Sequence, residues 1–235
     1  MSPSVSLDDD VRPVTTTRPA RLLVMDVDST LIAQEVIELL ADHAGTRAEV
    51  AEVTERAMRG EIDFAESLRE RVATLAGVPV SAFADVRARA TFTPGAAELV
   101  AEARRRGWEV GLVSGGFEEI VAHLAAELGI TLFRANRLEV AEGRLTGRTL
   151  GPVVDRAAKA ETLREFAART GVPVQDTVAV GDGANDLDMI AAAGIGIAFA
   201  AKPVVRDQAP HSVDGPRLDA VLDVVDRVDA ASGRA

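Results

Sequence analysis

A run of four apolar residues, Leu22–Met25, ends abruptly in the polar sequence Asp26-Val27-Asp28-Ser29-Thr30. Apolar residues in succession, without polar alternation, are typical of a strand buried on both faces of a parallel sheet. Further short apolar runs alternate with helical periodicity from residue 108 onward, which predicts right-handed crossovers and a Rossmann-like α/β fold. The expected later strands are 108–113, short strands within 131–150, 177–180 and 195–199, and the expected helices are 118–128, 157–169, 186–193 and 218–228.

Residues 33–90 interrupt this alternation. Apolar residues recur there at the spacing of a helix face, and no strand pattern divides the segment. Glycines at positions 45 and 60 and the turn Gly77-Val78-Pro79 separate it into several helices. The expected organisation is a flexible polar tail (1–19), an α/β core (20–32 and 91–235) and a helical cap inserted after the first strand (33–90).

Composition excludes several classes of protein. The 235 residues include 37 acidic and 26 basic side chains, a net charge of −11, which argues against binding to nucleic acids or anionic membranes. Cysteine is absent, so disulfides and cysteine-based nucleophiles or metal sites are excluded. The sequence contains neither a membrane-spanning stretch nor a signal peptide, and we expect a cytoplasmic protein; it predicts no oligomeric state.

Residues suited to chemistry follow three of the expected strands, where ligands of open α/β sheets bind. Asp26 and Asp28 follow the first, Ser114-Gly115-Gly116 the second, and Gly181-Asp182-Gly183-Ala184-Asn185-Asp186 a later one. Clustered carboxylates repel one another unless a cation holds them together, and oxygen ligands favour Mg²⁺. The sequence therefore predicts a magnesium site at this edge of the sheet.

The same residues can carry out phosphoryl transfer. A carboxylate can attack phosphorus, and a second one can serve as general acid and then as general base. Ser114 and the amides of Gly115 and Gly116 can donate hydrogen bonds to phosphate oxygens. Lys159, one of two lysines in the chain, can neutralise the remaining charge.

These motifs, in this order, resemble the four motifs of the haloacid dehalogenase superfamily. The runs 26–32, 57–64, 67–72 and 178–186 are similar to those of its phosphoserine phosphatase family, and the likeness spans roughly residues 21–228. The resemblance implies an Mg²⁺-dependent hydrolase that converts O-phospho-L-serine into L-serine and phosphate through an aspartyl-phosphate. In that family the reaction is the last step of serine biosynthesis.

The resemblance also assigns roles to individual residues. Asp26 is the expected nucleophile and Asp28 the acid/base, and Mg²⁺ is held by the carboxylates of Asp26 and Asp182 and the backbone carbonyl of Asp28. Asp186 supports these ligands from behind. The substrate is expected to contact a wider set: Ser114, Gly115, Lys159 and Asn185 at the phosphoryl group, Glu35 and Arg71 at the amino-acid part, and Met58, Gly60 and Phe64 in the cap.

Glu35 and Arg71 also carry a physical argument, because free phosphoserine bears an ammonium that a glutamate can pair and a carboxylate that a planar guanidinium can pair. Their alternative role is as surface charges of an amphipathic helix, and Met58 and Phe64 are equally expected from core packing. A related phosphatase or phosphotransferase acting on phosphothreonine or phosphohomoserine remains open. A receiver-type signalling module phosphorylated on Asp26 is disfavoured by the helical insert.

Overall fold

The computed structural model describes residues 19–59 and 61–233. The tail expected at 1–19 therefore lies outside the described residues except for Pro19, and Gly60 lies outside them as well. Every helix in the described part of the chain is too short or too polar to cross a bilayer. The cytoplasmic location and the lack of nucleic-acid and membrane partners stay predictions.

The described residues form one sheet of seven strands. The strands are β1 (Leu22–Met25), β2 (Glu109–Phe117), β3 (Leu132–Ala141), β4 (Arg144–Leu150), β5 (Thr177–Gly181), β6 (Ile195–Phe199) and β7 (His211–Val213). Their spatial order is β4-β3-β2-β1-β5-β6-β7, and all neighbours are parallel except β3 and β4, which form an antiparallel hairpin at one edge. The predicted parallel α/β fold is confirmed, with this hairpin as the difference.

The helices connect and cover the strands. They are α1 (Val36–Ala44), α2 (Arg47–Met58), α3 (Phe64–Ala73), α4 (Ala82–Arg89), α5 (Ala96–Arg105), α6 (Glu118–Glu127), α7 (Arg156–Thr170), α8 (Leu187–Ala192), α9 (Pro203–Arg206) and α10 (Val221–Ser232). Local signals fix the ends of α7: the Asp155 carboxylate accepts a hydrogen bond of 2.9 Å from the backbone N–H of Ala158, and Gly171 ends the helix at φ 70°.

The central strand β1 is buried on both faces, as its apolar run predicts. It pairs with β2 on one side and β5 on the other, and all four of its side chains have no exposed surface. Leu23 and Met25 belong to the larger apolar cluster, whereas Leu22 and Val24 belong to a second cluster that includes Phe166 of α7. Alternate side chains of one strand therefore join the sheet to two different apolar layers.

The helices α1 to α4, which we call the helical segment, follow β1 and precede α5. The backbone N–H of Gly77 donates to the carbonyl of Leu145 in β4 (2.8 Å), and the N–H of Leu145 donates to the carbonyl of Val78 (2.8 Å). Phe64, the first residue of α3, lies against the backbone of Gly115 in β2. The helical segment is thus attached to the edge hairpin and extends over the carboxyl end of β2.

The structure differs from the expectations at several places. The expected strand 108–113 continues through Ser114, Gly115 and Gly116 to Phe117, although its pairing with β3 shifts after Val113. Glycine next to a polar residue indicates a turn in sequence, but here the backbone stays extended, and Phe117 pairs again with Asn136 of β3. The sequence analysis also misses α5, α9 and β7, and the last two contain only four and three residues.

The burial of β1 predicts the stability of two matched variants. Leu23→Ala removes a fully buried side chain from the central strand, and we expect the free energy of unfolding to fall by about 2–5 kcal/mol. Leu150→Ala changes a side chain that is 40% exposed at the end of β4, and we expect a loss below about 1 kcal/mol. Urea unfolding followed by circular dichroism compares them, and equal losses would contradict this account of the core.

Candidate active site

Asp26 is the first residue after β1 and is held by two contacts. Its backbone N–H donates to the carbonyl of Val180 in β5 (2.9 Å), and its carboxylate accepts a hydrogen bond of 2.6 Å from the ammonium of Lys159. The same ammonium donates to the Asp186 carboxylate, also at 2.6 Å. Lys159 lies in the first turn of α7 and is fully buried. One buried ammonium therefore joins groups that follow β1 and β5.

Asp26, Lys159 and Asp186 form a buried triad, and the charges in it shift the pKa values of Asp26 and Lys159. Burial, and next the negative charge of Asp186, raise the pKa of the Asp26 carboxyl to about 8, although Lys159 acts in the opposite direction. Burial alone would lower the pKa of Lys159, but the two carboxylates outweigh it and raise that pKa above its ordinary value. The ammonium is therefore charged at neutral pH and serves as a fixed cation in the interior.

Asp182, which follows β5, completes a cluster of buried carboxylates. Oxygens of Asp26, Asp182 and Asp186 lie within 4.8 Å of one another, and the hydroxyl of Thr30 donates to Asp182 at 3.0 Å. Burial, and then the charges of Asp26 and Asp186, raise the pKa of Asp182 well above its ordinary value. In the described structure Lys159 pairs with Asp26 and Asp186 but not with Asp182, so the cluster fits a divalent cation bound by oxygen.

Asp186 is held more firmly than the other two carboxylates. One of its oxygens accepts from Lys159, and the other accepts from the backbone N–H of Gly183 at 3.0 Å. Its side chain also occupies the space that a Cβ at Gly181 would need, so glycine is required there. Both of its oxygens are therefore already engaged, and its supporting role behind the other two carboxylates stays a prediction.

Asp28 lies near these carboxylates, but its carboxylate has other hydrogen-bond partners. One oxygen accepts from the backbone N–H of Val36 at the start of α1 (2.8 Å), and the other accepts from the hydroxyl of Ser114 (3.0 Å). Burial raises the pKa of Asp28, and these two hydrogen bonds oppose that shift. A raised pKa suits a carboxyl that must hold a proton before it donates one.

Ser114 and the two glycines after it lie close to the side chains of Asp28 and Phe64. The Ser114 hydroxyl donates to Asp28 and accepts from the backbone N–H of Gly116 at 2.8 Å. A Cβ at Gly116 would collide with the Asp28 carboxylate, and a Cβ at Gly115 would collide with the ring of Phe64. A larger residue at either position would therefore force Asp28 or Phe64 to move.

Asn136 in β3 is a structural part of the site that the sequence analysis misses. Its amide nitrogen donates to the carbonyl of Gly115, and its amide oxygen accepts from the N–H of Val154, both at 2.8 Å. The side chain is buried and connects β2 to the loop that leads into α7. A single asparagine inside a strand forms no recognisable pattern, so only the three-dimensional contacts reveal it.

Glu35 is positioned by the turn after β1. Ser29 in that turn adopts a left-handed backbone conformation, with φ of 55°, that is uncommon for residues other than glycine. Its hydroxyl donates to the Glu35 carboxylate at 2.6 Å. Burial, and next the charge of Asp28, raise the pKa of Glu35 to about 8. The side chain is half-buried and is therefore not a simple surface charge.

Arg71 in α3 is a buried cation whose hydrogen-bond partners, among the described residues, are all neutral. Only 5% of the residue is exposed, and its guanidinium donates to neutral oxygens of Thr54 and Ser67. It lies 5.8 Å from the centre of the Phe64 ring. In residues 19–59 and 61–233, no carboxylate oxygen lies within 4.0 Å of a guanidinium nitrogen of Arg71, which is the limit for an ion pair. Desolvation by burial lowers the pKa of Arg71, so an incoming anion would be favoured.

One cavity brings most of the predicted site residues together. Its lining includes eight of them: Asp26, Asp28, Glu35, Met58, Phe64, Arg71, Gly115 and Asn185. Ser114 and Lys159 lie directly behind this lining, through their hydrogen bonds to Asp28 and Asp26. Asp182 lines an adjoining cavity that shares Glu35 with the first. Gly60 lies outside the described residues.

Known proteins resemble this chain over most of its length. A phosphoserine phosphatase from Streptococcus thermophilus is 56% identical over 207 residues, which make up 88% of this chain and 96% of that protein. The sequence model of the haloacid dehalogenase-like hydrolases matches residues 23–191. The chain belongs to the phosphoserine phosphatases of the haloacid dehalogenase-like hydrolase family. The family expected from the motifs is therefore confirmed.

Two further comparisons agree with this family. A phosphoserine phosphatase from Streptomyces coelicolor is 58% identical over 87% of this chain, which spans half the length of that relative. A solved structure described as a phospho-aspartyl intermediate analogue of phosphoserine phosphatase superposes with a TM-score of 0.84 at 41% identity. It covers 87% of this chain, and the match includes 98% of the solved chain. Metal binding is typical of this hydrolase family and agrees with the buried carboxylate cluster.

The two lysines of the chain allow a matched test of the buried triad. In metal-free buffer at neutral pH, Lys159→Met leaves Asp26 and Asp186 buried without their cation, and we expect the free energy of unfolding to fall by about 3–5 kcal/mol. Lys202→Met removes an exposed ion pair with Glu55, and we expect a loss below about 1 kcal/mol. Urea unfolding measures both, and equally small losses would contradict a structural role for Lys159.

Proposed function

We propose that this chain is an Mg²⁺-dependent phosphoserine phosphatase that hydrolyses O-phospho-L-serine to L-serine and phosphate. The observation that carries the proposal is the single cavity that contains Asp26 and Asp28 together with Glu35 and the unpaired guanidinium of Arg71. The first two carboxyls suit the chemistry at phosphorus. Glu35 and Arg71 suit the ammonium and the carboxylate of free phosphoserine. The names of the relatives support the same substrate.

The proposed reaction has two steps at phosphorus. In the first, a carboxylate oxygen of Asp26 attacks, the bond between phosphorus and the serine oxygen breaks, and Asp28 gives its proton to that oxygen. In the second, water attacks phosphorus, Asp28 accepts a proton from the water, and the bond to Asp26 breaks to release phosphate. The similarity to a solved phosphoserine phosphatase that holds an analogue of a phospho-aspartyl intermediate supports this course.

The surrounding groups are assigned to charge and orientation. We assign the ammonium of Lys159, which lies 2.6 Å from Asp26, and the hydroxyl of Ser114, which donates to Asp28, to stabilisation of the phosphoryl oxygens. Mg²⁺ would be held by the carboxylates of Asp26 and Asp182 and the backbone carbonyl of Asp28, with Asp186 behind them. When bound, the cation offsets the negative charge that the phosphoryl group brings into a cluster of carboxylates.

The helical segment is proposed to act as a lid over the core, with 33–90 as the cap and 20–32 and 91–235 as the core. Phe64 packs on Gly115, and the ammonium of Lys202, between β6 and α9, lies 3.1 Å from the Glu55 carboxylate in α2. These contacts join the helical segment to the sheet on two sides of the cavity. A closed lid excludes water while the ester is cleaved, and an open lid admits the next substrate.

The positive charge of Arg71 predicts for which substrates the activity of the enzyme falls when this side chain is removed. We expect Arg71→Ala to lower kcat/KM for phosphoserine about 100-fold, and that for phosphoethanolamine, which lacks the carboxylate, by less than about threefold. Phosphate release from a panel that also contains phosphothreonine and phosphohomoserine measures this. Arg69→Ala, an exposed neighbour in α3, is the matched control, and Asp26→Asn should abolish release from every substrate. A uniform loss in Arg71→Ala would contradict the assigned substrate.

The carboxylate cluster predicts stabilisation by metal. We expect a saturating concentration of MgCl₂ to raise the Tm of the wild-type protein by about 5 °C or more, because a ligand at 100 times its Kd adds about 2.7 kcal/mol. Asp182→Asn should remove most of this shift. Asp188→Asn, which alters a half-exposed carboxylate paired with Arg156, should keep it. Differential scanning calorimetry measures the shifts, and a full shift in Asp182→Asn would contradict its role as a ligand.

A further inference from the structure

The guanidinium of Arg71 is held by neutral groups. Its Nε donates to the backbone carbonyl of Ser67 at 3.1 Å, one terminal nitrogen donates to the hydroxyl of Thr54 at 2.9 Å, and the other donates to the hydroxyl of Ser67 at 3.4 Å. Hydrogen bonds to hydroxyls and carbonyls fix the orientation of the guanidinium without cancelling its charge. A carboxylate in the same place would compete with the carboxylate of a ligand.

The hydroxyl of Thr54 is oriented as an acceptor. It donates its only proton to the backbone carbonyl of Val50 at 2.8 Å, so its lone pairs face Arg71. Thr54 is 3% exposed and lines the same cavity as Arg71. A solvent molecule therefore cannot easily replace it, and the hydrogen bond to the guanidinium is made in a dry environment, where it is stronger.

Thr54 and Ser67 differ in their position relative to Arg71. Ser67 and Arg71 belong to the same helix, α3, one turn apart, so the contacts between them move with that helix. Thr54 belongs to α2. Among the three hydrogen bonds of the guanidinium, the one to Thr54 is therefore the one that fixes Arg71 relative to a second wall of the cavity.

We propose that Thr54 is a positioning residue that sets the preference of the site for substrates carrying a carboxylate. It acts through Arg71: it holds the guanidinium at the angle at which a planar fork can meet a carboxylate, and it leaves the full positive charge available to the substrate. This inference rests on the proposed function, since it concerns how the same cavity selects phosphoserine.

The test compares the kcat/KM of phosphoserine with that of phosphoethanolamine. We expect Thr54→Val, which keeps the shape of the side chain but removes the acceptor, to lower the ratio of the two values about tenfold, chiefly through KM for phosphoserine. Thr54→Ser keeps the hydroxyl and should stay within about twofold of the wild type. In an Arg71→Ala background, Thr54→Val should cause no further change in the ratio, because the residue it positions is gone.

A matched control separates positioning from general packing. Thr46, just before α2, donates to the hydroxyl of Thr74 after α3 at 3.2 Å. Thr46→Val therefore also removes a hydroxyl contact between these two helices, but it removes none of the hydrogen bonds of the Arg71 guanidinium. We expect it to preserve the substrate ratio. If Thr54→Val does not fold, as judged by circular dichroism, Thr54→Ala provides the same comparison without a β-branched side chain.

The outcomes distinguish the inference from the proposed function. If the wild-type protein prefers phosphoserine but Thr54→Val retains that preference, the role of Thr54 is wrong and the proposed function stands. If Thr46→Val lowers the ratio as much as Thr54→Val does, the effect is one of helix packing and the inference is again wrong. If the wild-type protein shows no preference for phosphoserine, the proposed function and the inference are both overturned.

Discussion

The rest of the site depends on the ion pairs that the buried ammonium of Lys159 makes with Asp26 and Asp186. Parallel strands bring their carboxyl ends to one edge of a sheet, and here those ends supply Asp26, Asp182 and Asp186. Without a cation, carboxylates this close and this well buried would repel one another and take up protons. One lysine offsets part of that charge, and the remaining negative charge suits a divalent cation. The stability of the fold and the chemistry of the site therefore depend on the same group of charged side chains.

The helical segment follows the opposite electrostatic principle. At the sheet edge, Asp26 and Asp186 share the buried cation of Lys159. In the helical segment, by contrast, the hydrogen-bond partners of the buried Arg71 guanidinium in the described part of the chain are all neutral. A buried cation without an acidic partner is unfavourable for the free protein, and a ligand that supplies a carboxylate relieves that cost. Glu35, half-buried at the entry to α1, offers the complementary group: burial raises its pKa to about 8, and an ammonium placed beside it would favour its charged form. The cavity thus offers a separate partner to each end of a zwitterion.

Sequence alone predicted those parts of the fold that have a local signature. The apolar run of β1 and the strand–helix alternation indicated the sheet, and motifs in their family order indicated the residues that line the cavity. It misplaced the end of β2, because Ser114-Gly115-Gly116 has the composition of a turn, while the strand continues through it to Phe117, which pairs with β3. It missed Asn136 and Thr54, since each is a single polar residue whose partners come from distant parts of the chain. The catalytic roles themselves stay predictions.

The order of residues along the chain has an evolutionary consequence. The cavity residues from the helical segment, together with Glu35, are encoded between positions 35 and 71, whereas the carboxylates and the glycine-rich strand end lie on either side of that stretch. One continuous stretch of sequence therefore holds the residues proposed to recognise the substrate, and the flanking parts hold those proposed to break the bond. Drift or exchange within that stretch can redirect such an enzyme to another ester while its hydrolytic machinery is inherited intact.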